Sequence, residues 1–293
     1  MAQSPSHKFG QIIGDVLEAA VEPLLQQFAQ EHNLYLDRQG PRPARRGKKV
    51  SWLDTYGNAH DLDYVLERDG SPKQIGTPVA FIETAWRRYT KHSRNKAQEI
   101  QGAILPLVAT HQSAAPFFGV ILAGVFTDGA LDQLRSLGFT VLYFSYDTVV
   151  EAFSGVGIEA HYDEDTPDAE YERRVYAWEA LTDRQRNNVA DVLIEINALE
   201  VQRFLDTLAR AVTRKIEAVL VLPLHGTVFA WDSAEEAIAF IKNYDESDSL
   251  NPIMRYEIEI RYTNGDHIRA QFADKENAMQ FLSNYQSPVL RPA

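Results

Sequence analysis

Residues 116–126 read Pro-Phe-Phe-Gly-Val-Ile-Leu-Ala-Gly-Val-Phe, the longest apolar run in the chain. It is about half the ~20 residues that a membrane-spanning helix needs, so it predicts a strand buried on both faces, of the kind found inside a covered sheet. A strand of that type requires helices above and below it. The flanking sequence has them, with helical spacing at Ala97, Ile100, Ala103, Ile104 and Leu107 before the run and over residues 128–137 after it.

The rest of the N-terminal half follows the same alternation. Phe9, Ile12, Ile13, Val16, Ala20, Leu24 and Phe28 recur at helical spacing within residues 8–32. A loop rich in Gly, Pro and Arg is expected over 37–47. Strands are expected over 49–53 and 62–67, with Tyr56-Gly57-Asn58 turning between them, and a short buried strand over 76–83. A strand over 140–145 and a helix over 148–153 close the series. The predicted class is α/β, a mixed sheet flanked by helices.

Residues 156–168 are polar and acidic and read as a linker, so the first domain is expected to span 1–155. Residues 169–217 read as a helical connector. Residues 218–293 form an α+β region carrying a tandem repeat: Glu235, Ala237, Phe240, Asn243 and Tyr244 recur 41 positions later as Glu276, Ala278, Phe281, Asn284 and Tyr285. Each copy is a β-hairpin followed by a helix, and Asn264-Gly265 is a strong hairpin signal. The two copies are expected to pair into one four-stranded sheet with an accessory or dimerisation role.

Charge bears on the partners. The net charge of −12 argues against a polyanion, but ten of the twelve excess negatives lie in residues 160–293. The N-terminal half is nearly balanced and clusters its cations, with Arg42, Arg45, Arg46, Lys48 and Lys49 within eight residues. No cysteine is present, which excludes disulfides and thiolate metal sites and suits a reducing cytosol. No secretory signal or membrane span is visible, so a cytoplasmic location is expected.

Against this frame the acids gain meaning. Asp61-Leu-Asp63-Tyr-Val-Leu-Glu67 and Pro78-Val-Ala-Phe-Ile-Glu83-Thr-Ala85 put carboxylates on two apolar strands, followed by the cationic stretch Arg87, Arg88, Lys91, Arg94 and Lys96. Alternation puts Phe81, Glu83 and Ala85 on one face of their strand, opposite Ile82 and Thr84, and Asp61, Asp63 and Val65 likewise share a face of theirs. If the strands are neighbours, Asp63 and Glu83, with the Thr84 carbonyl, can hold a hard divalent cation such as Mg²⁺. Such an ion polarises a phosphoryl oxygen and acidifies a bound water. A nearby lysine would orient that water and offset transition-state charge.

The order helix, acid strand, acid strand, cationic helix and buried strand resembles the PD-(D/E)xK nuclease superfamily over about the first 155 residues. The segments that carry the resemblance are the helix with Glu18, Leu62-Asp63-Tyr-Val-Leu, Pro78-Val-Ala-Phe-Ile-Glu83, the helix around Gln98 and Gln101, and the strand from Phe118 to Gly124. The resemblance implies a restriction endonuclease-like mixed sheet, with Asp63 as first acid and Glu83 as second. It further implies Glu18 as an added metal ligand and Gln98 as a helix residue near the site.

The motif lysine is absent, and Ala85 stands in its place. Three explanations stay open: Lys96 or Lys91 replaces it, metal alone activates water, or the site is inactive. The implied function is a Mg²⁺-dependent endodeoxyribonuclease (Mn²⁺ as a substitute) of restriction or defence type, working as a homodimer on DNA. The alternative is a catalytically inactive DNA-binding or assembly protein on the same fold. Arg42, Arg45, Arg46, Lys48, Lys49, Arg87, Arg88, Arg94 and Gln98 are the expected DNA contacts.

Overall fold

A computed structural model of the chain describes residues 4–89, 93–163, 165–224, 226–246 and 254–286. Two compact units emerge, Met1–Val212 and Thr213–Ala293.

The first unit opens with α1 (Pro5–Glu31). Ser4 caps it by accepting from the His7 amide, and Pro5 occupies the first turn, where no amide hydrogen is needed. Four strands follow: β1 (Leu34–Arg38), β2 (Val50–Leu53), β3 (Ala59–Leu62) and β4 (Tyr64–Arg68). Next come β5 (Thr77–Arg87), α2 (Ser93–Thr110), β6 (Phe117–Gly124), α3 (Asp128–Ser136), β7 (Thr140–Ser145) and α4 (Tyr146–Ser154). The unit closes with α5 (Asp168–Glu179), α6 (Asp183–Ile196) and α7 (Ala198–Val212).

Five strands pair in the order β1-β4-β5-β6-β7, and β2 with β3 forms a separate hairpin. β4 runs antiparallel to both β1 and β5, whereas β5, β6 and β7 are parallel. The sheet is therefore mixed. Strand alternation divides its side chains between two cores. Val65, Phe81, Ala85, Val120 and Leu122 pack beneath α2 and α3, while Tyr64, Leu66, Ile82, Ile121 and Ala123 pack against α1 and α4–α7. The apolar run that constrains the fold lies as expected, with Val120 to Ala123 all buried. Gly124 ends it in a left-handed conformation (φ +92°), and a Cβ there would sit 2.3 Å from the Arg87 carbonyl. Only glycine fits that approach.

Three expectations need correction. The sequence from Leu34 to Arg38 is a strand, with Leu36 and Asp37 buried, although the loop was expected to begin at Asp37. Its pattern is obscured because a buried carboxylate takes an interior position. The acid-bearing segment is also two strands rather than one, broken at Asp63. Finally, the acidic stretch expected as a linker buries Ile158, Ala160 and Tyr162, and α5–α7 contribute Tyr171, Val175, Val189, Phe204 and Leu208 to the same core as α1. The unit boundary falls after Val212 rather than near residue 155.

The second unit contains β8 (Ile216–Pro223), β9 (Phe229–Trp231), α8 (Ala234–Asn243), β10 (Tyr256–Tyr262), β11 (His267–Phe272) and α9 (Lys275–Ser283). Its strands pair in the order β11-β10-β8-β9, an antiparallel sheet separate from the first. The repeat extends to its chemistry. Ser233 and Asp274, equivalent positions, each cap their helix by accepting a backbone hydrogen bond. Trp231–Phe240–Tyr244 in one copy is matched by Phe272–Phe281–Tyr285 in the other, with ring centroids 5.1–5.3 Å apart.

Candidate functional site

The break between β3 and β4 is what brings the acids together. Leu62 is the last residue paired with the β2 hairpin, and Tyr64 the first paired with β5, opposite Ile82. Asp63 lies at the junction, beside Glu83. Its backbone amide donates to Glu83 Oε1 at 3.2 Å. Its own Oδ2 accepts from both the amide and the hydroxyl of Thr84, each at 2.8 Å. Two acids on different segments are thus cross-tied by each other's neighbours. Asp61 belongs instead to the hairpin, bound by Lys49 at 2.6 Å and by the Ser51 hydroxyl, so it does not share a face with Asp63.

Electrostatics follow from this placement. Glu83 is 7% exposed, and burial, reinforced by the Asp63 charge, pushes its carboxyl up to about 8. Lys96 opposes that rise, so its ammonium lies within electrostatic reach of Glu83. Lys96 itself is largely buried and donates to Glu99 at 2.6 Å. The first turn of α2 therefore delivers a lysine within electrostatic reach of the acid pair, while Ala85 packs in the core beneath that helix. Lys91 lies outside the described residues.

Glu18 projects from α1 on the opposite side. Its carboxyl is raised first by partial burial and then by Asp63, Asp15 and Glu22. It is an electrostatic neighbour of Asp63, but among the described residues no group of three or more His, Asp or Glu side chains is placed to hold a metal ion. The expected ligand role of Glu18 is not met. Thr84, expected to contribute its carbonyl, acts through its amide and hydroxyl as the residue that aims Asp63. Sequence reasoning missed this role, although a hydroxyl residue beside a strand acid is a readable signal.

Whether a divalent cation fits depends on which oxygens are unclaimed. Asp63 Oδ1 and Glu83 Oε2 accept no hydrogen bond among the described residues, whereas Asp63 Oδ2 and Glu83 Oε1 are taken. One oxygen from each acid is thus available, an all-oxygen donor set that suits Mg²⁺ or Mn²⁺ with water completing the shell. The donor chemistry suits the ion, with two side-chain carboxylates rather than three.

The expected DNA contacts separate into two groups. Arg42 is 4% exposed, forks onto Glu67 at 2.6 and 2.9 Å, donates to the Ser71 and Gln74 carbonyls and pairs with Asp37 at 2.9 Å. Arg45 is tied to Asp37 and to the Gly47 and Arg38 carbonyls. Both hold the 40–49 loop onto the sheet and are not available to phosphate. Arg88 is enclosed by tyrosines, and Arg87 is half-buried, with Nη1 donating to the Trp86 carbonyl. The exposed members are Arg46, Lys48, Lys49, Arg94 and Gln98, Lys49 already sharing Asp61. His60 is occupied in the hairpin by Asp54 at 3.0 Å, and its hydrogen bond is the largest cause holding that carboxyl below the usual range.

No protein-family model matches the chain, and no curated protein matches it. A solved structure described as the crystal structure of a protein of unknown function, AF1548, is similar at 13% identity and a TM-score of 0.29, covering 62% of this chain and 98% of that one. A likeness that distant carries no argument about activity. No helix among the described residues is long and apolar enough to cross a membrane.

Proposed function

We propose that the first unit is a restriction endonuclease-like domain of the PD-(D/E)xK type and hydrolyses phosphodiester bonds of DNA with Mg²⁺ or Mn²⁺. The observation that carries this reading is the cross-tied pair Asp63–Glu83, with one free oxygen on each acid and Lys96 beside it. When bound, the cation supplies Lewis-acid stabilisation of the phosphoryl oxygens and a more acidic water. Asp63 and Glu83 would hold it. Thr84 keeps Asp63 aimed, and the Lys96 ammonium takes the place of the motif lysine, offsetting negative charge and orienting the attacking water. Arg46, Lys48, Arg94 and Gln98 are the exposed residues suited to contact the phosphate backbone. Cutting both strands requires two such sites, which favours a homodimer.

The test is relaxation and linearisation of supercoiled plasmid in Mg²⁺ and in Mn²⁺. The wild-type chain is expected to cut, and Asp63→Ala and Glu83→Ala are each expected to lose at least about a hundredfold in rate. An intact plasmid under both metals, with folded protein, would instead favour the inactive DNA-binding or assembly scaffold.

A further inference from the structure

Past the carboxyl ends of β5 and β7, two arginines lie among tyrosines with no ion-paired acid among the described residues. Arg88, one residue beyond β5, stacks on the rings of Tyr89, Tyr162 and Tyr171 at 4.7, 4.7 and 4.5 Å. Its Nη2 donates to the Tyr171 hydroxyl. Arg174, on α5 and 7% exposed, approaches the same Tyr171 ring at 5.4 Å and donates from Nη2 to the His161 carbonyl at 2.8 Å. Arg88 Nε, Arg174 Nε and Nη1, and the Tyr162 hydroxyl are all buried without a hydrogen-bond partner. Neither guanidinium forms an ion pair among the described residues.

This arrangement is costly as it stands. Two like charges approach one ring in a poorly solvated place, and four buried polar atoms have no hydrogen-bond partner among the described residues. Stacking on tyrosine faces attracts each cation but satisfies none of those atoms. Elsewhere the chain buries an arginine differently: Arg42 has two carboxylates and two carbonyls. The place is also one where α/β sheets bind ligands, outside the carboxyl ends of parallel strands.

We propose that Arg88, Arg174 and Tyr162 form a binding site for a phosphate dianion, free or as the terminal phosphate of a nucleic acid. Two fixed positive charges match a dianion better than a carboxylate, and a tetrahedral phosphate presents several acceptor oxygens to guanidinium and phenol donors. Burial keeps the Tyr162 hydroxyl protonated, hence a donor. The acid pair takes no part, so this inference is independent of the nuclease reading.

Thermal denaturation of the full chain in inorganic phosphate, against chloride at matched ionic strength, tests it. Wild type is expected to gain about 5 °C at saturation. Arg88→Met and Tyr162→Phe are expected to lose most of that gain, with Tyr162→Phe no less stable than wild type in chloride. Direct binding of oligonucleotides with a 5′-phosphate or a 5′-hydroxyl then separates the sources. A preference of tenfold or more for the phosphorylated end assigns terminal phosphate, and equal binding assigns the free ion. An unmoved wild type in phosphate with no end preference overturns the proposal, as does a gain retained in both variants.

Discussion

Glu83 owes its chemistry to where β5 ends its apolar run. Five buried residues precede it, so the carboxyl meets little water, and Asp63 faces it from the break between β3 and β4. Its folded-state value of about 8 lies above the ordinary 4.5, so between those limits the folded chain holds a proton that the unfolded chain releases. The stability it contributes is fully present below about pH 4.5 and is lost as pH rises through about 8. The span is worth roughly 3–5 kcal/mol. In EDTA, urea denaturation is expected to show stability falling from pH 5 to pH 8.5, and Glu83→Gln should flatten the fall. Removing Lys96 removes the charge that opposes the rise, so Lys96→Met should extend the fall to higher pH and lower cleavage by about 10²-fold or more. An unchanged cleavage rate in Lys96→Met would return the water-activating role to metal alone.

At the scale of elements, the acid strands were readable because apolar residues surround each acid, and so was the run from Phe117, where every position but Phe118 is buried. The β1 strand was not, because Asp37 occupies an interior place that only Arg42 and Arg45, folding back from the following loop, make tolerable. The same ion network explains why a cationic cluster that reads as a DNA surface is partly interior. The spacing of Arg42 and Arg45 says nothing about carboxylates on β1 and β4. Arg42→Met is expected to destabilise the protein by roughly 3–5 kcal/mol, because it strands two buried acids. Arg46→Met and Lys48→Met should change stability by less than ~0.5 kcal/mol. Equal losses at all three positions in urea denaturation would contradict that division. The break at Asp63 was likewise hidden, since it depends on β3 and β4 pairing with different partners.

Across the whole molecule, the acidic excess lies largely after residue 160, and it covers α5–α7 of the first unit as well as the second unit. The segment that reads as a linker is held in place by Tyr146, whose hydroxyl accepts from the Tyr162 amide. A polar stretch with isolated apolar residues gives no periodic signal, which is why the unit boundary was not legible. The repeats were, because their helix caps and aromatic pairs recur at a fixed interval. The acid pair, its tether and Lys96 all belong to the first unit. A chain ending at Val212 is therefore expected to keep metal affinity within about threefold of the full chain, and a larger loss would assign the repeats a part in the site.

Metal binding can be measured without knowing the nucleic-acid substrate, and it bears on the acid pair itself. Isothermal titration of the wild-type chain with Mn²⁺ at pH 7, repeated in buffers of different ionisation enthalpy, is expected to show saturable binding with nearly one proton released, because Glu83 holds its proton until the cation displaces it. Glu83→Gln and Asp63→Asn should each weaken that binding by at least about tenfold. Binding of equal strength in both variants, or no binding by the wild type, would contradict the assignment of Asp63 and Glu83 as a divalent-metal site.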